Sequence, residues 1–252
     1  MLRSGLGLAA LMLALAPAIA APEESDTVAP CRGSEHETIV CDNGKRVLRV
    51  IRNSASPTGR YAVAWAMVKD TELRKLPPDQ PSPQASNVRS VNCALCGDVL
   101  NFLVRLPDGK VLKRLDGRHF GDEPRYNHYV NKVIWSADEQ YIVQVTDWRF
   151  GSDTAAAYHI GLGDRVSGPL RLTAPARRAA ARALRHGQDK DYVLEKTVFI
   201  EVASIDSGGL MKFTAAMAAP KEDGFGFEMT MQLKPGARTL AGDIKSAEQK
   251  RD

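Results

Sequence analysis

The sequence predicts a mainly β protein of antiparallel sheets with one helix near residues 174–186. Short runs rich in Val, Ile, Leu, Tyr and Phe recur along the chain, and turn residues such as Pro-Asp-Gly and Ser-Gly-Gly separate them. A single stretch rich in alanine and arginine, two residue types with high helix propensity, interrupts this pattern.

The first half of the chain contains four clear strand candidates. Residues 47–51 are the first, and residues 61–68 are the second. The second run is continuously apolar, which also fits a buried helix segment, but flanking turn residues favour a strand. Residues 99–106 and 111–115 form the clearest hairpin, because the proline and glycine of Pro-Asp-Gly-Lys between them preset the turn dihedrals.

The second half contains a strand pair, the helix and a meander. Residues 130–135 and 141–146 make the pair, and residues 155–160 add a strand. In the helix, Thr173 is placed to cap the start. The remaining apolar runs, separated by glycine and proline turns, predict an antiparallel meander over residues 192–205, 210–218, 225–233 and 239–244.

The first twenty residues have the features of a secretory signal peptide. Arg3 precedes the uncharged apolar run Leu6–Ala16, and Ala18-Ile19-Ala20 supplies small residues for cleavage. The run has 11 residues, whereas a membrane-spanning helix needs about 20, so a retained anchor is the weaker alternative. We expect cleavage after Ala20 and a periplasmic or secreted protein with no membrane span. Its charges, 34 basic and 30 acidic in the full chain, form no block that favours nucleic acid.

Two segments of the chain match each other. Residues 56–63 (SPTGRYAV) and residues 136–143 (SADEQYIV) share serine, tyrosine and valine in register, 80 residues apart. With the lead-in from Val133, they resemble the strand–turn–strand elements of WD40 and TolB-like β-propellers. The resemblance covers about 20 residues and implies blades with an aromatic residue packed between neighbours. Because no clean match lies between the two segments, it favours an incomplete propeller in a chain that looks like an uncharacterised exported bacterial protein.

These observations divide the chain into four parts. Residues 1–20 are the signal peptide, and residues 21–46 are a lead-in and disulfide loop. Residues 47–172 form the β-rich, propeller-like part. Residues 173–252 form the helix and meander, which we expect to belong to the same domain.

The cysteines Cys31, Cys41, Cys93 and Cys96 are even in number, which favours disulfides in an exported chain. Short loops close at the least entropic cost, so Cys31–Cys41 and Cys93–Cys96 are the expected pairs. The second pair also has the spacing of a redox dithiol, but no helix follows to lower a thiol pKa. The gap from Cys31 to Cys41 differs from usual zinc-site spacing.

Two polar segments are candidate binding loops. Residues 116–129 contain His119, Arg125 and His128. The histidines and the carboxylates of this segment are types that ligate metals or act as acid and base, although a surface loop contains such residues by default. Residues 147–153 contain Asp147, Trp148 and Arg149. Tryptophan and arginine are enriched at binding hot spots, and the alternative is that the aromatic residues cover the core edge. If the strand pairs that precede these loops lie side by side, we expect both loops to lie at the same edge of the fold.

The sequence contains no hydrolase, metalloprotease or nucleotide-binding motif. The leading hypothesis is therefore a non-enzymatic binding or interaction protein that meets an unknown protein or small-molecule partner outside the cytoplasm, with no cofactor or metal. One alternative is a thiol–disulfide enzyme that uses Cys93 and Cys96; another is an unrecognised hydrolase or metal enzyme at His119 and His128. The arginines of the helix form a basic side, read either as a solvated face or as an anionic docking surface.

Overall fold

The structure is a computed structural model that describes residues 38–41, 46–67, 99–117, 130–148, 151–184, 197–217 and 225–250. Within these residues the chain forms thirteen β-strands and one α-helix, and the strands make three antiparallel sheets. The predicted mainly β class is therefore confirmed. Each sheet is a meander, because its strands pair in the order in which they follow along the chain.

The first sheet confirms the four predicted strands of the first half, each to within one residue. Its strands are β1 (Thr38–Cys41), β2 (Arg46–Val50), β3 (Tyr61–Met67), β4 (Val99–Arg105) and β5 (Lys110–Leu115). The hairpin between β4 and β5 is present, with Arg105 opposite Lys110. Strand β1 lies within the predicted lead-in and disulfide loop of residues 21–46, where the β-branched run Thr-Ile-Val pairs with β2.

The second sheet contains one strand that the sequence analysis missed. Its strands are β6 (Val130–Trp135), β7 (Tyr141–Trp148), β8 (Gly151–Ile160) and β9 (Val166–Arg171). A short 3-10 turn at Leu162–Asp164 joins the last two strands. Strand β9 was not predicted because Gly168 and Pro169 lie in its middle. Both residue types are depleted in strand interiors.

The helix α1 (Thr173–Ala183) lies between the second and third sheets in the chain. Thr173 is inside the helix, and no side chain caps its start, so the predicted threonine cap is wrong. The alanine side is buried, whereas Arg178 and Arg182 are exposed. Of the described helices, none is both long and apolar enough to cross a membrane.

The third sheet confirms the predicted antiparallel meander. Its strands are β10 (Val198–Ile205), β11 (Leu210–Met217), β12 (Phe225–Pro235) and β13 (Leu240–Gln249). The first part of the predicted run 192–205 lies outside the described residues. Alternate side chains of β11 are buried and point to one face, as expected of a sheet with one covered side.

The second sheet is the middle layer of the described fold. Val143 and Val145 of β7 belong to a core shared with α1 and the third sheet, and the neighbouring Ile142 belongs to a core shared with the first sheet. A third cluster lies on the other face of the first sheet. Both faces of the middle sheet are covered, which fits the continuous apolar runs of residues 141–143 in β7 and 155–158 in β8. The described sheets are open, and none closes on itself.

The two matching sequence segments form equivalent turns. The backbone N–H of Tyr61 donates to Ser56 Oγ at 3.0 Å, and that of Tyr141 donates to Ser136 Oγ at 2.9 Å. Each serine carbonyl also accepts the N–H of the residue three positions later. A related turn in the third sheet uses Asp206 instead, whose Oδ1 accepts the N–H of Leu210 at 2.8 Å. This turn is one residue shorter and has aspartate in place of serine and leucine in place of tyrosine, so it does not match the repeated sequence.

The tyrosine of each turn contacts the following sheet. The Tyr61 ring stacks on Trp135 of the second sheet, with ring centres 6.1 Å apart and planes 15° apart. The Tyr141 ring lies against Gly209 of the third sheet, where a Cβ would approach its Cζ to 2.8 Å. The repeated turn therefore supplies one aromatic contact at each junction between successive sheets.

Candidate functional site

The ends of the two predicted binding loops lie next to each other. Val130, where the first loop enters β6, is the register partner of Asp147 near the end of β7. Trp148 is in turn the partner of Gly151 at the start of β8. We call this end of the sheets, residues 114–117, 130–131, 146–148 and 151–154, the loop edge. We call the opposite end, residues 56–61, 105–110, 136–141 and 161–165, the turn edge.

The structure describes two of the six predicted binding residues. Asp147 and Trp148 lie in β7 at the loop edge. The other four, His119, Arg125, His128 and Arg149, lie outside the described residues, as do Cys31, Cys93 and Cys96. The interpretation of residues 147–153 as a loop is wrong for most of that segment, because β7 continues to Trp148 and β8 begins at Gly151.

Asp147 connects the second sheet to the third. Its Oδ1 accepts a hydrogen bond from Ser152 Oγ at 2.6 Å, and the same hydroxyl oxygen accepts the backbone N–H of Ile200 at 2.8 Å. Burial raises the pKa of Asp147, although the Ser152 hydrogen bond and the charge of Lys132 oppose this shift. The Asp147 carboxylate therefore holds the Ser152 hydroxyl that contacts the third sheet. We assign Asp147 a supporting role at the loop edge.

A buried network of polar side chains joins the first and second sheets near this edge. Gln144 Nε2 donates to Asn101 Oδ1 at 2.9 Å and to Asn131 Oδ1 at 3.0 Å. Thr146 Oγ1 donates to Asn131 Oδ1 at 3.3 Å. Gln144 and Asn101 are fully buried. Burying an amide group without a hydrogen-bond partner costs free energy, so these hydrogen bonds favour the observed packing of the two sheets.

The residues of this network were not predicted from the sequence, although two of them carry a signal. Gln144 interrupts the apolar run YIVQVT, and Asn101 interrupts VLNFLV. A polar residue within a two-sided apolar strand indicates a buried partner. Finding that partner requires the pairing of two different sheets, which the sequence does not supply.

Gly117 lies directly over the polar network. A Cβ at this position would overlap the amide of Gln144, with 2.6 Å to its Cδ. The chain therefore passes against the buried amide with no room for a side chain. This contact determines where the chain leaves β5 and enters the first predicted loop.

A cleft opens at the loop edge between the first sheet, the second sheet and the start of α1. Its volume is about 590 Å³. Charged and hydroxyl side chains line it: Arg114, Asp116, Thr154, Arg171 and Thr173. Only Asp116 lies in a segment predicted to bind, residues 116–129, and none of the five was predicted individually as a binding residue. They were missed because they come from four separate elements that only the folded chain brings together.

Two contacts hold the acidic residue of the cleft in place. Arg171 Nε donates to Asp116 Oδ2 at 2.7 Å. The backbone N–H of Asp116 donates to the hydroxyl oxygen of Tyr158 at 2.7 Å, and burial raises the pKa of that tyrosine. Tyr158 is fully buried in the core between the first two sheets. A hydrogen bond therefore connects Asp116, on the wall of the cleft, to the protein core.

The turn edge is also charged, but its groups pair with one another. Asp164 accepts a hydrogen bond from the Tyr61 hydroxyl at 2.5 Å and pairs with Arg60 at 3.1 Å and with Arg105. Although burial opposes it, hydrogen bonds from Tyr61 and Arg105 hold the pKa of Asp164 below its usual value. Burial, aided by Asp164, raises the pKa of Tyr61 to about 12. These contacts join the first sheet to the second. We therefore assign the turn edge a structural role.

Comparisons of the chain with protein-family models, with curated proteins and with solved structures found no match. Across the described ranges, no three His, Cys, Asp or Glu side chains are grouped so that they could hold a metal ion. The geometry of the loop edge is therefore the basis for assigning a function.

Proposed function

We propose that this chain is an exported, non-enzymatic binding protein that uses the loop edge to contact its partner. The export signal at residues 1–20 directs the protein to the periplasm or the exterior. In that compartment the cysteines pair as Cys31–Cys41 and Cys93–Cys96. The mature protein then meets its partner outside the cytoplasm.

The arrangement of the sheets supports a propeller-like origin for this function. Three meanders follow one another, and the tyrosines Tyr61 and Tyr141 of two equivalent turns each pack on the next sheet. We propose that these sheets are blades of an incomplete propeller. Blade folds present loops at one end of a rigid scaffold, and such loops are a common location for binding residues.

One observation carries the proposal: Val130 and Asp147 are register partners at the loop edge. Both predicted loops therefore start or finish at one place on the surface. The cleft lined by Arg114 and Arg171 lies at the same edge. At the opposite edge, by contrast, Asp164 is already bound by Tyr61, Arg60 and Arg105.

Site-specific photocrosslinking in intact cells of the source organism tests the proposal. A benzophenone amino acid is placed at Trp148, and a matched control places it at Lys212, an exposed position on β11 in the third sheet. We expect a discrete ultraviolet-dependent adduct from position 148 that Arg149→Ala removes, and none from position 212. The absence of an adduct from folded protein at position 148, or equal adducts at both positions, would contradict the proposal.

A further inference from the structure

We propose that the cleft at the loop edge binds an organic oxyanion, either a carboxylate or a phosphate ester, between Arg114 and Arg171. This inference rests on the proposed function, since it assigns a ligand class to the same edge. It is carried by the charges, the exposed donors and the volume of the cleft.

The charge of the cleft favours an anion. Arg114 and Arg171 contribute two positive charges, and Asp116 contributes the one negative charge among its described lining residues. The adjoining helix α1 adds three more arginines and contains no acidic residue. Positive charge that is concentrated around a concave surface raises the local concentration of anionic ligands.

Asp116 holds the guanidinium of Arg171 at the cleft, where it remains largely exposed. The Nε of Arg171 donates to Asp116 Oδ2 at 2.7 Å, while the side chain remains 75% exposed. The Asp116 backbone is itself held by the buried Tyr158 hydroxyl. An arginine has five N–H donors in a planar fork, so its terminal nitrogens are available to bind two oxygens of a carboxylate or phosphate.

Arg114 and the threonines complete the set of donors. Arg114 is exposed and forms no ion pair with any residue in the described ranges. Thr154 and Thr173 line the same cleft and bring hydroxyl groups. These groups suit the polar body of a ligand whose oxyanion binds the arginines.

The size of the cleft fits a small metabolite. Its volume of about 590 Å³ lies within the roughly 300–1,000 Å³ typical of small-molecule sites. A single inorganic ion would fill little of this space. We therefore infer a ligand with an organic body.

Isothermal titration calorimetry with three probes that share one sugar scaffold tests the inference. D-glucuronate carries a carboxylate, D-glucose 6-phosphate carries a phosphate ester, and D-glucose is neutral. With the mature protein, we expect at least one anionic probe to bind and glucose not to bind. The stronger of the two anions identifies the oxyanion. Failure of both anions to bind, or equal binding of glucose, would overturn the inference.

Variants link the binding to the cleft. We expect Arg114→Gln with Arg171→Gln to weaken anion binding at least tenfold while the melting temperature stays near that of the parent. The matched control is Arg165→Gln, which removes an exposed arginine at the turn edge and leaves affinity within twofold. Equal weakening by the control would mean that general charge, not the cleft, attracts the anion, and would overturn the inference.

The two proposals fail separately. If no anion binds but position 148 still crosslinks, the oxyanion inference is wrong and the loop-edge function stands. If anions bind at the cleft but position 148 gives no adduct, the partner-binding function is wrong and the anion site stands.

Discussion

Thr58 and Glu139 join two equivalent turns of successive sheets. The backbone N–H and the hydroxyl of Thr58 both donate to Glu139 Oε1, at 2.6 and 2.7 Å. Glu139 is buried, and although burial opposes it, these hydrogen bonds hold the pKa of its carboxyl below the usual value. The turn that the sequence repeats after 80 residues is thus also a point of contact between the sheets.

Removing the Glu139 carboxylate is expected to destabilise the protein. Glu139→Ala loses two hydrogen bonds to a charged acceptor and leaves the Thr58 donors without it, which costs about 1.5–3 kcal/mol. Urea unfolding measures this loss. The control Glu201→Ala removes an exposed carboxylate paired with Lys132 and is expected to change stability by less than about 0.5 kcal/mol. Equal losses for both variants would show that the turn contact contributes nothing specific.

Asp164 is expected to make stability depend on acid pH. Its pKa in the folded protein is lower than the ordinary value of 3.8. The stabilisation is therefore complete above the unfolded pKa and is lost as the pH falls through the folded value. We expect Asp164→Asn to lower the free energy of unfolding at pH 7 and to flatten its decline below about pH 4. A variant with the parent's full acid dependence would contradict this role.

Asp147 is expected to behave in the opposite way. Burial raises its folded pKa above 3.8, so its contribution is complete below the unfolded pKa and is lost as the pH rises through the folded value. Asp147→Asn keeps an oxygen to accept the Ser152 hydrogen bond. We therefore expect equal or higher stability than the parent at pH 7, and no gain near pH 3.5. Urea unfolding at both values measures this; a loss confined to pH 7 would refute the assignment.

Gly209 and Gly59 provide a matched pair of substitutions. Both have positive φ, +78° and +72°, in related turns, but a Cβ at Gly209 would meet the Tyr141 ring, whereas nothing lies within 4 Å of one at Gly59. Alanine at Gly59 costs about 1–2 kcal/mol of backbone strain. At Gly209 the overlap adds about 1–3 kcal/mol. Thermal or urea unfolding compares the two. If both variants lose the same stability, the tyrosine contact between the second and third sheets is unimportant.

The strands were predictable because their signals are local. The apolar runs and turn residues around 99–115 and 130–146 specify hairpins without reference to the rest of the chain. Strand β9 was missed because Gly168 and Pro169 contradict its local pattern. The sequence also indicated the repeated turn, but not that Thr58 and Glu139 would meet across it.

The candidate site was predictable only in part. The local pattern predicted a strand ending at residue 146 with Asp147 and Trp148 in the loop after it, whereas both residues lie in β7. The polar network and the cleft were not predicted, because each combines residues from separate elements. Asn101 and Gln144 are 43 residues apart and belong to different sheets, and Arg171 reaches Asp116 across 55 residues. Such contacts depend on the stacking of sheets, which no local pattern encodes.

Hydrogen–deuterium exchange tests most directly whether the loop edge is the binding surface. The mature protein is compared with and without a saturating concentration of the anionic sugar that calorimetry finds to bind more tightly. The account predicts slower exchange in peptides covering residues 111–117, 147–154 and 171–174, with no change over residues 56–61 and 136–141. Protection confined to the turn edge, or no protection at either edge, would contradict it.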